Sequence, residues 1–286
     1  MLCTLNEVLK NAQKKHYAVC AFDFVTDIYL KAILDTCEEM RAPVILSALE
    51  HDLQGKGLAY ISGTIKAIQN HYSIPIVLHL DHGKDLNLLK KCIDYGFSSV
   101  MYDSSEYPLK ENIDRTKEVI TYAHARGVTV EAELGYVAGT DIMGGDTGDS
   151  KLTDPKEVEE FVEKTDVDAL AVSIGTAHGI YKSKPKLDIE CLKSIRNITD
   201  VPLVLHGGSG TPEDQLKEAI REGICKLNIY ADLRIAMNSK MNECMNILSN
   251  RNDELPDNLF KPLYMGLSNE VINKIKLTSS NNRYWI

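Results

Sequence analysis

Several histidines and carboxylates in this sequence stand where short apolar runs end. His82, His178 and His206 each follow a separate run within a few residues. Zinc accepts three imidazoles and keeps a fourth position open when the site is catalytic. We therefore predict a zinc site at these histidines. Asp103 and Glu133, which also lie at the ends of apolar runs, could either orient the imidazoles or bind the metal themselves.

A glycine-rich segment could hold an anion beside the histidines. Residues 206–210 read His-Gly-Gly-Ser-Gly, and Thr211 follows at the start of a predicted helix. Glycine lets backbone N–H groups approach an anion closely, and a helix N-terminus adds positive potential. The segment therefore predicts a phosphate site.

The elements that must position these groups form a repeating pattern. Each run of apolar and β-branched residues ends in a polar or glycine-containing turn, and a helical stretch follows. Asp154-Pro155 and Thr211-Pro212 are typical helix starts, with a capping residue and then proline in the first turn. Buried strands separated by helices indicate a parallel sheet. The predicted strands are 18–22, 43–48, 74–80, 98–102, 128–134, 169–174, 202–205 and 224–229.

Eight such units in about 230 residues favour a closed barrel over an open sheet. We predict an α/β fold, a (β/α)8 TIM barrel with additional C-terminal helices. The chain is taken as one domain over residues 1–286, with βα units over about 17–232 and a helical extension over about 233–277. Residues 278–286 are polar and are expected to fray.

The location of the active site follows from the barrel. Active sites of such barrels lie at the C-terminal ends of the strands, where the candidate residues would converge. His79, two residues before Asp81, is expected to point into the barrel and to be structural. Lys226 lies on the last strand, where alternation allows it to point either inward or outward. The other histidines are expected at the surface: His16, His51, His71 and His124.

The bulk composition excludes several kinds of partner. The chain has 286 residues and a formal net charge of -9, which argues against nucleic acid or an anionic membrane. No apolar run reaches the roughly 20 residues of a membrane helix, and the N-terminus lacks the pattern of a signal peptide. The seven cysteines form no C-x-x-C pair, which favours a reducing compartment. We expect a cytoplasmic protein without nucleic-acid or membrane partners.

Five segments carry a resemblance to a known family. They occur in the family's order and spacing, and the resemblance runs from about residue 5 to about residue 240. The chain resembles the class II fructose- and tagatose-bisphosphate aldolases. The segments are 79–83 (HLDHG), 131–135 (EAELG), 175–179 (GTAHG), 205–210 (LHGGSG) and 226–229 (KLNI).

The resemblance implies a zinc enzyme that reversibly cleaves a ketose phosphate to dihydroxyacetone phosphate and an aldehyde. His82, His178 and His206 match the zinc ligands, and zinc would stabilise the enediolate that forms on cleavage. Asp81 matches the acid/base that handles the proton of the C4 hydroxyl. A second divalent ion and a monovalent cation near the phosphate are further cofactor candidates.

The resemblance also implies the substrate contacts and the assembly. Relatives are dimers or tetramers, so we expect a homodimer or homotetramer whose partner molecule is a small phosphorylated sugar. Arg234 matches an arginine that, in relatives, reaches the second phosphate from a neighbouring subunit. The predicted substrate-binding residues are Gly179, Gly207, Gly208, Ser209, Asn228, Asp232 and Arg234.

Departures from the family pattern cluster on the aldehyde side of the site. Asp23 and Thr26 stand where the family has asparagines, and Leu49 where it has a serine. Ala231 replaces a phosphate-binding threonine, and Tyr230 adds bulk. We expect the metal chemistry to be retained, while Asp23 adds a repulsive charge beside a second phosphate. The aldehyde therefore need not be glyceraldehyde 3-phosphate.

Three other interpretations stay open at this point. A Schiff-base aldolase could use Lys226, a metal-dependent hydrolase could use the same barrel and zinc, and the chain could be a non-catalytic sugar-phosphate-binding subunit. The loop over residues 137–151, rich in Gly and Asp, could be a mobile cover over the site or a disordered surface loop.

Overall fold

A closed parallel barrel forms the centre of the protein. The computed structural model describes residues 2–139, 148, 150–179 and 184–284, and within these residues eight strands pair in chain order, the last with the first. The TIM-barrel prediction is confirmed. The strands are β1 (Val19–Asp23), β2 (Val44–Leu49), β3 (Ile76–Gly83), β4 (Ser99–Tyr102), β5 (Thr129–Leu134), β6 (Ala169–Val172), β7 (Leu203–Leu205) and β8 (Ile224–Ile229).

Helices surround the barrel, and several more follow its last strand as predicted. None of the helices in the described part of the chain is long and apolar enough to cross a membrane. The helices are α1 (Leu5–Lys14), α2 (Asp27–Met40), α3 (Gly57–Ile68), α4 (Leu86–Asp94), α5 (Leu109–His124), α6 (Pro155–Thr165), α7 (Ile189–Ile198), α8 (Glu213–Arg221), α9 (Ala231–Asn238), α10 (Met241–Asn250), α11 (Pro256–Leu259) and α12 (Lys261–Leu277). Glu50–Leu53 and Gln69–His71 form short 3-10 turns.

The two predicted helix starts differ in detail. Asp154 caps α6 as expected, because its carboxylate accepts from the N–H of Lys156 at 3.0 Å and Pro155 occupies the first turn. Helix α8 instead begins at Glu213, so its proline precedes the helix. Thr211 does not cap α8; its hydroxyl donates to the Gly207 carbonyl at 3.0 Å and stabilises the glycine-rich turn.

The barrel interior is apolar at one end and polar at the other. Helix α1 closes the N-terminal end, where its fully buried Leu5, Val8 and Leu9 pack in one cluster with inward residues such as Ile45 and Val77. Toward the C-terminal ends the buried side chains become polar: Ser47, His79, Ser99, Glu131 and Lys226 are all fully buried. Polar groups therefore face inward at the end where active sites of this fold lie.

The end of the chain is held against the barrel, so the expectation of fraying is wrong for residues 278–284. The Thr278 carbonyl accepts from the Ala18 N–H at 3.1 Å, just before β1, and its side chain is fully buried. The Asn282 N–H donates to Met40 at the end of α2. Polar side chains here satisfy buried backbone groups, which a hydropathy pattern cannot distinguish from exposure.

Candidate active site

A cavity of about 490 Å³ opens at the C-terminal ends of the strands. It brings together most of the predicted site residues, while Gly208, Asp232 and Glu133 lie outside its lining. Most of the loop 137–151 lies outside the described residues. The predicted residues that line the cavity are Asp81, His82, Asp103, His178, Gly179, His206, Gly207, Ser209, Asn228 and Arg234.

His82 reaches the cavity because β3 bends at its end. The pairing of β3 with β4 shifts register between Leu80 and Gly83, and His82 takes a positive φ of 46°. That conformation is uncommon for a residue with a side chain and costs free energy. The Asp103 N–H donates to the Gly83 carbonyl at 2.9 Å, which holds the bend.

His178 is positioned by its own backbone. Its N–H donates to the Ala138 carbonyl at 2.8 Å, and it forms a bridge with Gly139. A Cβ at residue 139 would lie 2.3 Å from the His178 carbonyl oxygen, so only glycine fits there. The segments after β5 and β6 are thereby joined beside the site.

His206 follows β7 directly and is almost fully buried. The next residue, Gly207, has a φ of 68°, and a Cβ there would lie 2.5 Å from the Ala177 carbonyl oxygen. Glycine therefore lets the turn after β7 pass against the segment that carries His178.

The three imidazoles converge. The ring centroid of His82 lies 4.9 Å from that of His178 and 4.5 Å from that of His206, and the last two centroids are 5.9 Å apart. One nitrogen from each ring lies within 4.8 Å of the others. A single ion between them could contact all three.

Hydrogen bonds decide which nitrogen of each ring faces inward. His82 Nδ1 lies 2.9 Å from Asp103 Oδ2, and His206 Nε2 lies 2.9 Å from Glu131 Oε1. The ring of His178 bonds the Val137 backbone. Among the described residues, Nε2 of His82 and of His178 is buried without a hydrogen-bond partner. Buried nitrogens without partners, each opposite an oriented one, are what a metal site requires, so these residues fit a bound metal.

The electrostatics also favour a cation. Burial lowers the pKa of His82, but Asp81, Asp103 and Glu133 outweigh it and raise that pKa to about 10. Burial together with the charge of His82 lowers the pKa of His178 to about 4. One positive charge is therefore strongly held in this cluster, and a divalent ion would satisfy the same carboxylates.

Asp81 is buried beside the histidines. Its two oxygens accept from the Asn228 side-chain amide at 3.2 and 3.0 Å. Burial opposes its ionisation, but His82, His206 and Lys226 outweigh that effect and hold its pKa below the ordinary value. An ionised carboxylate in the cavity can accept a proton from a substrate hydroxyl.

Glu133 lies behind His82. Its Oε1 accepts from the Val137 N–H at 3.0 Å, whereas its buried Oε2 has no hydrogen-bond partner among the described residues. Burial and the charge of Asp103 raise its pKa to about 8. Glu133, Asp103 and His82 form a second group that could hold a cation.

The glycine-rich turn meets the first turn of α9. Ser209 Oγ accepts from the N–H groups of Tyr230 and Asp232, each at 3.2 Å, so its own proton is free to point into the cavity. The Asp232 carboxylate accepts from the Gly210 N–H at 3.4 Å and pairs with Lys274 of α12. Asp232 thus holds the turn, whereas we expected it to contact the substrate.

Most residues that depart from the family lie on one side of the cavity, at the C-terminal ends of the adjacent strands β8, β1 and β2. We call this side the far half of the cavity. Asp23, Leu49, Tyr230 and Arg234 line it, and the Arg234 guanidinium lies 5.2 Å from the centroid of the Tyr230 ring of the same chain. Burial and the charge of Asp81 raise the pKa of Asp23 well above its ordinary value. This favours the neutral carboxyl, so the expected repulsive charge is reduced.

The sequence reasoning on the other histidines agrees with the structure, but it missed an ion pair. His79 is fully buried in the barrel, and His16, His51, His71 and His124 are exposed. Lys226 points inward, where its Nζ lies 2.7 Å from Glu131 Oε2. The signal for this pair was Glu131, two residues before Glu133 and hence on the same strand face.

The fold and the site define a class of protein: a barrel enzyme with a candidate metal centre of three histidines at the C-terminal ends of its strands. Residues 3–283 match the profile of the family described as Fructose-bisphosphate aldolase class-II. The chain belongs to this family and is a lyase of carbon–carbon bonds. Class II aldolases are generally metal-dependent and act on sugar phosphates.

Individual relatives agree with this assignment. The chain is 41% identical over 262 residues to a fructose-bisphosphate aldolase of Giardia intestinalis, covering 82% of this chain and 80% of the relative. The crystal structure of the YdjI aldolase from Escherichia coli K12 is 32% identical, with a TM-score of 0.86 and full coverage of both chains. A fructose-bisphosphate aldolase from Campylobacter jejuni, 21% identical with a TM-score of 0.84 over 98% and 96% of the two chains, supports the fold alone.

Proposed function

We propose that this protein is a zinc-dependent ketose-phosphate aldolase that forms dihydroxyacetone phosphate and an aldehyde reversibly. One observation carries the proposal: three imidazoles converge beside the ionised carboxylate of Asp81. Family membership supplies the reaction type, and the donor set of His82, His178 and His206 supplies the choice of zinc.

The ligand atoms follow from the hydrogen bonds. His82 and His178 would bind the metal through Nε2 and His206 through Nδ1, because the opposite nitrogens are engaged. When bound, the metal supplies a Lewis acid for the negative charge that develops on the substrate's oxygens during cleavage. Asp103 and Glu133 would orient His82, or hold a second divalent ion with it.

The remaining roles belong to side chains around the metal. Asp81 would remove the proton from the C4 hydroxyl in cleavage and return it in condensation, with Asn228 holding its carboxylate in place. The hydroxyl of Ser209 and the backbone at Gly179 and Gly207 would bind the phosphate of dihydroxyacetone phosphate, beside the N-terminus of α9.

The far half of the cavity supports a relaxed choice of aldehyde. Leu49 offers no hydroxyl to a second phosphate, and Ile235 adds further apolar surface. Arg234 is the cationic residue proposed to face this end of the substrate. We therefore propose that a second phosphate is not required.

The test is a comparison of kcat/KM on fructose 1,6-bisphosphate, tagatose 1,6-bisphosphate and ketose 1-phosphates. We expect cleavage of ketose 1-phosphates at least as efficient as that of either bisphosphate. A clear preference for a bisphosphate would overturn the proposal for the aldehyde half and leave the metal chemistry standing.

The rival interpretations receive less support. Lys226 lies outside the cavity lining and is paired with Glu131, so its amine is not presented to a carbonyl substrate. A non-catalytic subunit would be expected to lack Asp81 or a histidine ligand, and all four residues are present. A hydrolase would be revealed by phosphate release without carbon–carbon cleavage.

We also propose that the chain assembles as a homodimer or homotetramer. The helices after the barrel expose several large apolar side chains, and such surfaces are typical of subunit contacts. Light scattering of the purified protein tests this, and a monomer at micromolar concentration would contradict it. The exposed side chains are Ile235, Met241, Met245, Leu255, Phe260 and Met265.

A further inference from the structure

A buried ion pair lies directly beneath the candidate metal centre. Glu131 and Lys226 are both fully buried inside the barrel, and the Lys226 Nζ donates to the two Glu131 oxygens at 2.9 and 2.7 Å. Taking two charges out of water costs free energy, and well-packed apolar side chains in such a place often give a more stable protein. Stability alone is therefore a weak reason for this pair.

Two histidines form the remaining hydrogen bonds of this pair: the buried His79 with Lys226, and the candidate metal ligand His206 with Glu131. The third N–H of Lys226 points toward His79 Nε2 at 3.5 Å, and His79 Nδ1 lies 2.8 Å from Ser99 Oγ. Because a lysine ammonium has three protons, these contacts satisfy it completely. Glu131 Oε1 keeps one further contact, which is to Nε2 of His206 at 2.9 Å.

That last contact determines the proton on His206. A carboxylate that pairs with a lysine ammonium accepts hydrogen bonds, so Nε2 of His206 carries the proton and Nδ1 presents its lone pair toward the cavity, 3.4 Å from the side-chain nitrogen of Asn228. His82 is oriented through the opposite nitrogen, by Asp103. The two rings therefore depend on separate carboxylates, one at the cavity wall and one inside the barrel.

We propose that Glu131, charge-balanced by Lys226, is the positioning residue that fixes the tautomer of His206 and thereby sets the affinity of the site for its metal. This rests on the proposed metal-dependent function. Neither residue touches the substrate, because neither lines the cavity. The metal site thus extends one layer deeper into the barrel than its ligands.

The experiment measures metal binding on the intact protein, by chelator competition with Zn²⁺ and by the visible absorption of Co²⁺. Glu131→Gln with Lys226→Met replaces the ion pair by a neutral pair of similar size, which should keep the fold. The Gln side chain can turn either its oxygen or its NH₂ toward His206, so the tautomer is no longer fixed. We expect the Kd for Zn²⁺ to rise about 10- to 100-fold and the Co²⁺ spectrum to change.

Asp168→Asn is the matched control. Asp168 also accepts from a histidine, His124 at 2.8 Å, but this pair lies before β6, at the opposite end of the barrel. We expect this variant to lower stability and to leave the Kd for Zn²⁺ unchanged. Single replacement of Glu131 leaves Lys226 unpaired and is expected to unfold the protein, so the double variant carries the test.

The outcomes separate the two proposals. A wild-type protein that takes up no Zn²⁺ would overturn the proposed function and this inference with it. A wild-type protein that binds Zn²⁺, together with a folded double variant that binds it equally well, would overturn only the role of Glu131. Weakened binding in both the double variant and Asp168→Asn would also overturn it, because the effect would then be one of general stability.

Discussion

The two halves of the cavity differ in how their side chains are held. On the metal side, His82, His206 and Asp81 each form a hydrogen bond with a side chain on another strand or strand end of the barrel. On the far side, one oxygen of Asp23 is buried without a partner among the described residues, and Leu49 contributes only apolar surface. The half proposed to break the bond is built into the barrel. The residues of the half proposed to select the aldehyde can therefore change without altering the geometry of the metal side.

The largest expected effect is a loss of catalysis on the metal side of the cavity, with the proposed metal still bound. Asp81→Asn keeps the shape of the side chain but cannot accept the hydroxyl proton, so kcat for cleavage should fall about 10²- to 10⁴-fold. Zinc content, measured by elemental analysis, should stay at the wild-type value. Asp27→Asn, at an exposed carboxylate in the first turn of α2, is the control. A loss below threefold would contradict the role of Asp81.

The metal side also makes the metal-free protein sensitive to pH. Burial and Asp103 raise the pKa of Glu133 to about 8 from an ordinary value of 4.5. Between these pH values the folded state holds a proton that the unfolded state has lost. The contribution of Glu133 to the free energy of unfolding therefore falls as pH rises from 5 to 8.5.

Glu133→Gln removes this titration. In urea unfolding of chelator-treated protein, the loss of stability between pH 5 and 8.5 should be smaller in the variant by roughly 1–3 kcal/mol. Equal pH dependence in both proteins would show that Glu133 is ionised in the folded state throughout this range.

The far side is tested by restoring what the family has there. Leu49→Ser returns a hydroxyl that could bind a second phosphate. We expect kcat/KM for fructose 1,6-bisphosphate to rise about tenfold relative to a ketose 1-phosphate, since one good hydrogen bond to a charged group is worth about that factor. An equal change on both substrates would mean that this position does not contact that end of the substrate.

The smallest expected effect concerns Asp23. The neutral carboxyl and an amide are similar in shape and can both donate a hydrogen bond, so Asp23→Asn should change kcat/KM on a ketose 1-phosphate by less than about threefold. A large gain confined to a bisphosphate would show that Asp23 carries a negative charge and repels the second phosphate.

Much of the fold could be predicted from the sequence because the signals are local. Apolar runs and helix starts predicted the eight strands in their order along the chain. The largest error at a strand's C-terminal end is in β3, which continues three residues beyond the predicted end, to Gly83. The positive φ of His82 extends that strand to the cavity, and no local preference predicts it. The burial of Thr278 depends on its contacts with β1 and was likewise missed.

The site could be predicted only where residue type alone is informative. Three histidines at strand ends are such a signal. The direction of Lys226 is not, because β7 and β8 shift register beside it and alternation fails there. The pairing of Asp232 with Lys274 joins α9 to α12, some forty residues apart, so local spacing could not separate a structural carboxylate from a substrate ligand.

Chelation followed by reconstitution tests the central claim most directly. Cleavage of a ketose phosphate should be lost after treatment with a strong chelator, should return on addition of stoichiometric Zn²⁺, and should be unaffected by borohydride in the presence of substrate. Activity that survives the chelator, with borohydride trapping the substrate on Lys226, would contradict the account and establish a Schiff-base enzyme.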